Sequence, residues 1–330
     1  MSHSNISVFV PHIGCPCRCT FCDQNSITQS SAVPNENDVH NAVKTALSSR
    51  RYDPKDGQIA FFGGSFTAID RDYMLSLLSA AKQHIDNGDA GSIRISTRPD
   101  FIDDEILSIL KSYGVSAIEL GAQSMDDEVL KKNRRGHTAE CVAKASELIK
   151  SNGFELGLQM MTGLYCDTDE KSLATADKLI ALKPATVRIY PAVVLKNTEL
   201  ARLMEKGEYR PQSVEEAVNI GAVLIPKFLS NGIKVIRFGL HTAQQSQIVG
   251  GAWHPALAQL VYSRIARERV SAELSKKPKG AYDIKCPKAE ISTVIGQKRE
   301  NILYFKEKGY DCRVVGCEYL GGISVQERKK

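Results

Sequence analysis

Hydrophobic and polar residues follow two alternating patterns through the first 275 residues of the chain. Short β-branched and aromatic runs predict strands, and the longer amphipathic segments between them predict helices. The predicted strands are 6–12, 58–63, 92–97, 115–121, 154–161, 186–190 and 234–239. The predicted helices are 71–86, 103–112, 125–132, 139–151, 169–182, 213–230 and 255–274.

This alternation predicts a fold of the α/β class. Strands separated by helices pair in parallel through right-handed crossovers, and six or seven units suit a partial (β/α)6 to (β/α)8 barrel of parallel strands. In such barrels the ligand-binding residues lie at the C-terminal ends of the strands and on the loops that follow. We therefore expect residues 1–275 to form the barrel and its strand-ending loops to carry the chemistry.

The last part of the chain departs from this alternation. After the basic segment SKKPKG the pattern predicts strand, helix, tight turn, helix and strand. This βααβ order is that of a KH-like module, which clamps a nucleic-acid backbone at a Gly-x-x-Gly turn. Here the turn keeps Gly296, whereas Arg299 replaces the second glycine and follows Lys298. We expect residues 276–330 to form a small C-terminal appendage in which Gly296, Lys298 and Arg299 contact RNA.

The formal net charge of +5 is distributed unevenly. Residues 276–330 contain thirteen Lys and Arg against seven Asp and Glu, whereas residues 1–275 contain thirty against thirty-one. A basic module of this kind favours a polyanion as its partner. The alternative is a packing appendage whose lysines are simply solvated on its outer face.

The sequence also gives expectations about location. No run approaches the ~20 apolar residues of a membrane span, and the N-terminus lacks a basic start followed by an apolar core. A secreted disulfide framework would be denser than nine cysteines in 330 residues. We therefore expect a cytoplasmic protein without membrane contact.

Four of the cysteines, Cys15, Cys17, Cys19 and Cys22, lie within eight residues. Free cysteines rarely cluster this tightly without a ligand, so metal or redox chemistry is favoured over ordinary small core residues. Cys15, Cys19 and Cys22 have Cys-x3-Cys-x2-Cys spacing, and three thiolates can hold three irons of a [4Fe–4S] cluster and leave the fourth iron open. A structural zinc site would need a second ligand pair, which the sequence does not offer.

This spacing after the first predicted strand, with Phe21 just before the last cysteine, resembles the signature of the radical S-adenosylmethionine (SAM) superfamily. The resemblance implies a [4Fe–4S] cluster held by Cys15, Cys19 and Cys22, with SAM chelating the fourth iron. Electrons from an external reductant such as a flavodoxin or ferredoxin would cleave SAM to a 5′-deoxyadenosyl radical, which abstracts hydrogen from substrate. Cys17 falls outside the spacing, and we expect it to be a bystander.

Motifs after the other strands imply the remaining cofactor contacts. Gly63 and Gly64 lack a Cβ and allow a ligand to approach closely. In the superfamily a Gly-Gly-Glu stretch binds the methionine ammonium, and here Ser65 replaces the glutamate. The expected cofactor-binding residues are Phe21, Gly63, Gly64, Ser65, Ser96, Arg98, Gln123, Arg135 and Gln159. No residue is assigned to the catalytic step itself.

Five motifs taken in order extend the resemblance: GGSFT, STRPD, ELGAQS, RRGHT and RIYPAVVLKNTEL. Over residues 5–275 they are similar to the catalytic subunit of elongator and its smaller bacterial relatives. That subunit modifies a wobble uridine of transfer RNA and carries a second, acetyl-CoA-binding domain, which this chain is too short to contain. The implied function is a radical SAM enzyme for RNA modification, with transfer RNA as the expected partner.

Two other functions stay open on the sequence. The same radical chemistry could act on a small molecule or a protein, with the C-terminal module merely structural. Alternatively, the chain could be a non-catalytic iron–sulfur or zinc protein that binds RNA.

Overall fold

A computed structural model gives the structure of the protein and describes residues 4–10, 15–23, 33–240, 245–318 and 322–328. Its strands are Ser4–Val10 (β1), Gly57–Gly63 (β2), Ser92–Thr97 (β3), Val115–Gln123 (β4), Glu155–Thr162 (β5), Thr186–Pro191 (β6), Val193–Leu195 (β7), Lys234–Phe238 (β8), Ile248–Gly251 (β9), Gly280–Pro287 (β10), Tyr310–Cys317 (β11) and Ser324–Glu327 (β12). Its α-helices are Glu36–Leu47 (α1), Arg71–Asp86 (α2), Asp104–Ser112 (α3), Asp127–Lys132 (α4), Ala139–Ser151 (α5), Asp169–Ala181 (α6), Glu199–Glu205 (α7), Val214–Ser230 (α8), Leu257–Leu274 (α9), Ile291–Ile295 (α10) and Glu300–Glu307 (α11).

Within the described residues, seven strands form one parallel sheet in the order β1-β2-β3-β4-β5-β6-β8. The spatial order follows the chain because each crossover returns the backbone to the neighbouring position. All seven predicted strands lie in this sheet, although the last two residues of the predicted strand 6–12 fall outside the described residues. The expected α/β class and partial barrel of parallel strands are therefore confirmed.

The predicted helices correspond to α2–α6, α8 and α9, with boundaries that differ by at most two residues. The pattern missed α1, α7 and the short strands β7, β9 and β12. In α1 only Val39 and Val43 are buried, so the apolar repeat is too sparse to stand out. A capping box between Asn35 and Asp38 nevertheless fixes its start.

The loops that lead into six of the helices end in residues that cap the helix. In each case an Asp or Thr side chain accepts a hydrogen bond from a backbone N–H in the first turn, which satisfies a donor that the helix itself leaves free. These N-cap residues are Asp70, Asp103, Asp126, Thr138, Thr168 and Thr198. The caps fix where each loop ends, and so fix the position of the strand-ending motifs.

Helices cover the sheet, so several strands are buried on both faces. In β2, for example, Ile59, Ala60 and Phe61 are consecutive and fully buried. Continuous burial of this kind is typical of parallel sheets and explains why these strands read as apolar runs rather than strict alternation.

The chain divides into two compact units, Met1–Gln212 with Lys227–Ala252 and Ser213–Pro226 with Trp253–Lys330. The first contains the parallel sheet. The second contains α9 and a three-stranded sheet of order β11-β10-β12, in which β10 is parallel to β11 and antiparallel to β12. The predicted boundary at residue 275 stays a prediction.

The second unit has its own apolar core. Its buried members are Ala266, Val270, Leu274, Tyr282, Ile284, Cys286, Val294, Phe305, Tyr310, Cys312 and Val325. They come from α9, both short helices and all three strands, so the strand–helix–turn–helix–strand segment packs together with the preceding helix. Among the described residues no helix combines the length and apolar composition needed to cross a membrane.

Candidate functional site

The C-terminal ends of the parallel strands line a cavity of about 1160 Å³. Every residue that the sequence predicts for the cluster or its cofactor lies on the wall of this cavity, which also includes Cys17. These residues are Cys15, Cys19, Phe21, Cys22, Gly63, Gly64, Ser65, Ser96, Arg98, Gln123, Arg135 and Gln159. The structure therefore brings together motifs that lie up to 144 residues apart in the sequence.

The cysteine segment is anchored to the end of α4 and to α7. The hydroxyl of Thr20 donates to Asn133 Oδ1 at 2.8 Å, and the Thr20 N–H donates to the Asn133 carbonyl at 3.2 Å. The Thr20 carbonyl accepts from the Leu200 N–H at 2.8 Å. Asn133 is fully buried, and its amide donates to the carbonyls of Val129 and Tyr165. The sequence analysis missed this anchor; the only signal was a polar residue inside the cysteine motif.

Phe21 contacts apolar side chains of the protein as well as the cavity. It packs against Val194, Leu200 and Tyr209 on one side and against Val129 and Leu164 on another, while it also lines the cavity. This packing places the last turn of the cysteine segment, because Phe21 directly precedes Cys22.

The electrostatics of the thiols reflect their closeness. Burial, together with the neighbouring Cys19 and Cys15, raises the pKa of the Cys22 thiol above its usual range. Burial also raises the pKa of Cys15, against which a hydrogen bond from the Ser65 backbone acts. Three thiolates so near one another repel, and a cationic iron cluster would relieve that repulsion.

Arg135 supplies hydrogen-bond donors beside these thiols. Its Nη1 donates to Cys19 Sγ at 3.1 Å and its Nη2 to the Gly121 carbonyl at 2.7 Å, whereas its buried Nε has no acceptor among the described residues. An unsatisfied donor of a buried guanidinium next to three cysteines suits the sulfur atoms of a cluster or a carboxylate of its cofactor.

The chemistry of the donor set therefore fits an iron–sulfur cluster. No trio of His, Cys, Asp or Glu in the described residues is arranged around a single metal ion. In a cubane each thiolate binds a different iron, so the ligand prediction does not require such a trio.

Arg98 fixes the basic turn behind Arg135. Its Nε and Nη2 form a two-point contact with Asp100 at 2.9 and 2.8 Å, and Nη2 also donates to the Arg135 carbonyl at 2.6 Å. Gly136 follows with φ of +74°, and a Cβ there would lie 2.7 Å from Cys17 Sγ. Cys17 thus packs against a glycine of the RRGHT motif.

The glycine turn after β2 lies directly against β1. Gly63 has φ of +116°, and a Cβ at this position would overlap the Val10 carbonyl oxygen, so only glycine fits. The Ser65 hydroxyl is fully buried, bonds to Thr97 Oγ1 at 2.9 Å and accepts from the Arg98 N–H at 3.2 Å. Ser65 therefore ties two cavity-lining turns together.

The end of β4 carries a local distortion at the cavity. Gln123 has φ of +65°, and the pairing of β4 with β5 shifts register between Gly121 and Gln123. The Gln159 amide donates to Gln123 Oε1 at 3.3 Å. A strained non-glycine residue at the end of a barrel strand is typical of ligand-binding positions.

A buried ion network crosses the sheet below these residues. Glu119 accepts from Arg94 at 3.1 Å and from Arg188 at 2.7 and 3.1 Å. Arg94 also donates to Glu155 at 2.6 Å and to Gln58 at 2.8 Å. The side chains of Glu119 and Arg94 are each 4% exposed, so the charges compensate one another with little help from water.

The three expected RNA-binding residues lie on the turn between α10 and α11, in the second unit. Gly296 is buried with φ of +80°, and a Cβ there would lie 2.7 Å from Glu300 Cγ and 3.1 Å from Ser263 Oγ. Lys298 and Arg299 are exposed and have left-handed backbone conformations, with φ of +49° and +64°.

Comparison with known proteins identifies the family of this chain. Residues 9–179 match the model of the Radical SAM superfamily, and residues 184–267 match the model of the Radical_SAM C-terminal domain. The tRNA uridine(34) acetyltransferase of Methanocaldococcus jannaschii is 26% identical over 239 residues, which cover 66% of this chain and 43% of that protein. Human Elongator complex protein 3 is 28% identical over 183 residues, which cover 49% of this chain and 34% of that protein.

The chain thus spans less than half the length of these curated relatives. Among solved structures, the archaeal Methanocaldococcus infernus Elp3 with an N-terminal deletion superposes with a TM-score of 0.67 at 21% identity, over 82% of this chain and 64% of that one. This likeness shows that the two chains share a fold. Because the superfamily model covers more than half of the chain, this protein belongs to the radical SAM superfamily and is an enzyme whose cofactors are a [4Fe–4S] cluster and SAM.

Proposed function

We propose that this radical SAM enzyme modifies RNA and that its substrate is a transfer RNA. The observation that carries the proposal is the convergence of all twelve expected cluster and cofactor residues on one cavity in an elongator-like chain. Relatives named as tRNA uridine(34) acetyltransferases support the choice of RNA.

Cys15, Cys19 and Cys22 are the proposed cluster ligands, and Cys17 is the bystander. When bound, the cluster and SAM supply reductive cleavage of the sulfonium and a radical that removes a hydrogen atom from substrate. A flavodoxin or ferredoxin is the proposed source of the electron. The Thr20–Asn133 hydrogen bonds hold the cysteine segment in place.

The proposed cofactor contacts come from four strand ends. Gly63 and Gly64 present backbone without a Cβ after β2. The buried Arg135 offers a free Nε to a sulfide or a carboxylate, and Arg98 fixes the Arg135 backbone. Gln123 and Gln159, which bond to each other, offer their remaining amide groups to polar atoms of the cofactor.

Exposed cations of the second unit support the choice of a polyanion. Lys298 and Arg299 are the proposed phosphate contacts, since neither forms an ion pair in the described structure. Nearby in the same unit, the Arg267 guanidinium stacks over the Tyr304 ring at 4.7 Å, and Lys308 Nζ lies 5.7 Å from the same ring. Cations interleaved with an aromatic ring are typical of nucleic-acid-binding surfaces.

Anaerobic reconstitution tests the cluster assignment. Wild-type protein is expected to bind about four irons per chain and to release 5′-deoxyadenosine after reduction with SAM. Separate Cys15→Ala, Cys19→Ala and Cys22→Ala variants should lose both, whereas Cys17→Ala, the matched control, should keep both. Bleaching by Cys17→Ala would refute the ligand assignment, and one tightly bound zinc without cleavage would establish a binding-only protein.

Filter binding of transfer RNA across salt concentration tests the substrate. Affinity that falls steeply with salt is expected, because released counterions drive binding to phosphates. Absent or salt-independent binding would favour a small-molecule or protein substrate. Mass spectrometry of nucleosides from cells that lack the gene would then identify the modification.

A further inference from the structure

The cavity carries a cation that the cofactor assignment does not use. Arg237 of β8 pairs in register with Arg188 of β6, and both side chains line the cavity. Gln159 of β5 lies in the same row, beside Arg188. Two arginines therefore stand side by side on neighbouring strands of the sheet.

Their surroundings differ. Arg188 forms a two-point contact with Glu119, at 2.7 and 3.1 Å, but Glu119 also accepts from Arg94, so this one carboxylate is shared between two arginines. Arg237 forms neither a hydrogen bond nor an ion pair with any other described residue. The residues outside the described ranges include no Asp or Glu. The side chains of this chain thus provide no carboxylate for Arg237.

Such an arrangement is unfavourable by itself. Like charges directly opposite on adjacent strands repel, and an arginine on a cavity wall gains little from being there without an anion. An anion between the two arginines would reverse the sign of this interaction.

Tyr190 completes a set of donors. It lies two residues after Arg188 on the same face of β6 and also lines the cavity. Burial raises the pKa of its hydroxyl, whereas the nearby Arg188 and Arg237 guanidinium groups act against that rise, so the O–H lies within electrostatic reach of both arginines and can donate to an acceptor. Guanidinium groups flanked by a hydroxyl suit phosphate, whose several oxygens can accept from all three groups.

These residues are separate from the expected cofactor contacts. The latter come mainly from the cysteine segment and the ends of β2–β5, whereas Arg237 lies on β8, at the edge of the sheet farthest in strand order from β1. The cavity volume of about 1160 Å³ exceeds that of a typical site for one drug-sized ligand, so a substrate group can enter beside the cofactor.

We infer that Arg237, Tyr190 and Arg188 form a subsite that binds a phosphate group of the substrate and thereby orients it in the cavity. The inference that the subsite binds phosphate rests on the arrangement of these side chains. The further choice of an RNA phosphodiester as the phosphate group rests on the proposed function. A phosphomonoester of a small metabolite would use the same chemistry.

Thermal unfolding of the full-length protein tests this inference. Inorganic phosphate should raise the Tm of wild type in a concentration-dependent manner, because a ligand that binds only the folded state stabilises it. In Arg237→Gln the apparent Kd for phosphate should rise about tenfold or more, the effect of losing a charged hydrogen-bond donor. Without phosphate the variant should unfold at the same or a higher temperature, because the repulsion from Arg188 is gone.

Two further variants keep the test sharp. Arg237→Lys retains the charge and should keep part of the phosphate response. Arg269→Gln, which removes an exposed arginine of α9, should keep all of it. An unchanged phosphate response in Arg237→Gln, or an equal response of wild type to acetate, would overturn the inference, as would a lower Tm for that variant in phosphate-free buffer.

Competition by two further ligands distinguishes an RNA phosphodiester from the phosphate of a small metabolite. A uridine dinucleotide with one phosphodiester should compete with inorganic phosphate if the substrate is RNA, whereas uridine monophosphate should compete better if it is a small metabolite. Loss of transfer-RNA binding with an intact, Arg237-dependent phosphate response would refute the proposed RNA substrate and leave this subsite standing.

Discussion

The cations of the parallel sheet and those of the second unit have opposite surroundings. Arg94, Arg98 and Arg188 are largely buried, and each donates to a carboxylate within 3.1 Å. Lys298 and Arg299 are exposed on a turn and have no such partner among the residues that the structure describes. Burial removes water from the first set and fixes its geometry. The second set keeps its hydration and its side-chain mobility.

The two sets of cations therefore suit different roles: the buried arginines orient neighbouring groups, and the exposed cations attract a polyanion. A buried arginine held by two acceptors can place neighbouring groups to within a fraction of an ångström, but its charge is already compensated. An exposed lysine contributes little to structure, yet its field reaches about a Debye length and draws in a polyanion. Arg237 stands between the two classes, since it lines the cavity like Arg98 and Arg188 and lacks a carboxylate like the second set.

The largest expected effect comes from breaking the buried network. Glu119→Gln leaves Arg188 without a carboxylate and turns an amide toward its donors, so we expect a loss of about 3–5 kcal/mol in the free energy of unfolding. Urea denaturation measures it.

Glu155→Gln is the matched control for this variant. Glu155 also binds Arg94, at 2.6 Å, but its side chain is 36% exposed. Water screens this pair, so the expected loss is below about 1 kcal/mol. Equal losses for the two variants would show that burial does not distinguish these carboxylates.

Much of the fold could be predicted because local patterns determine it. Each parallel strand is an apolar run between helices, and the order of the sheet follows the order of the chain. The cysteine spacing and the glycines after β2 are also local signals. Gly63 could be identified from its place at the end of a predicted strand, although the Val10 carbonyl that excludes a Cβ there belongs to β1.

The contacts that hold the site together could not be predicted in the same way. Thr20 and Asn133 are 113 residues apart, and no sequence motif near either residue indicates that they are in contact. Glu119 bonds to arginines on two different strands, one on each side of it in the sheet, and only the register determines which ones. The partner of a buried charge is a property of the tertiary structure.

A second prediction concerns Asp167, a buried carboxylate at the end of the loop before α6. Burial raises the pKa of Asp167 from 3.8 to about 6, although Ser172 and two backbone N–H groups donate to it. The folded state therefore keeps a proton that the unfolded state has lost between about pH 4 and 6. Stability contributed by this group is present below pH 4 and disappears as the pH rises through 6.

Asp167→Asn removes this titration. Relative to the variant, wild type should lose up to about 3 kcal/mol of unfolding free energy between pH 4 and pH 7. Urea denaturation of both proteins across this range gives the difference. A difference that does not change with pH would mean that the carboxyl group titrates normally in the folded protein.

The anchor of the cysteine segment gives a smaller effect. Asn133→Ala removes the acceptor of the Thr20 hydroxyl and donors to Val129 and Tyr165, so we expect a loss of about 1–3 kcal/mol and a lower iron content after reconstitution. Asn152→Ala is the matched control, because Asn152 also ends a helix and donates to the carbonyl four residues before it, that of Leu148. It should keep full iron content.

Substitutions on the exposed turn between α10 and α11 are expected to have the smallest effect on the stability of the protein. Lys298→Gln with Arg299→Gln should leave stability and uncoupled SAM cleavage unchanged. It should reduce the slope of log affinity for transfer RNA against log salt by about 1.4–1.8, the value for two phosphate contacts.

The control for this pair removes two lysines that already have partners. Lys276 pairs with Glu273 at 2.9 Å and Lys288 with Glu318 at 2.6 Å, both in the second unit. Replacing both with Gln changes the net charge equally, but it should change the salt slope less, because these cations are already compensated. Equal slopes for the two double variants would mean that RNA senses only the total charge of this unit, and the contrast between fixed and free cations would then apply to the cavity alone.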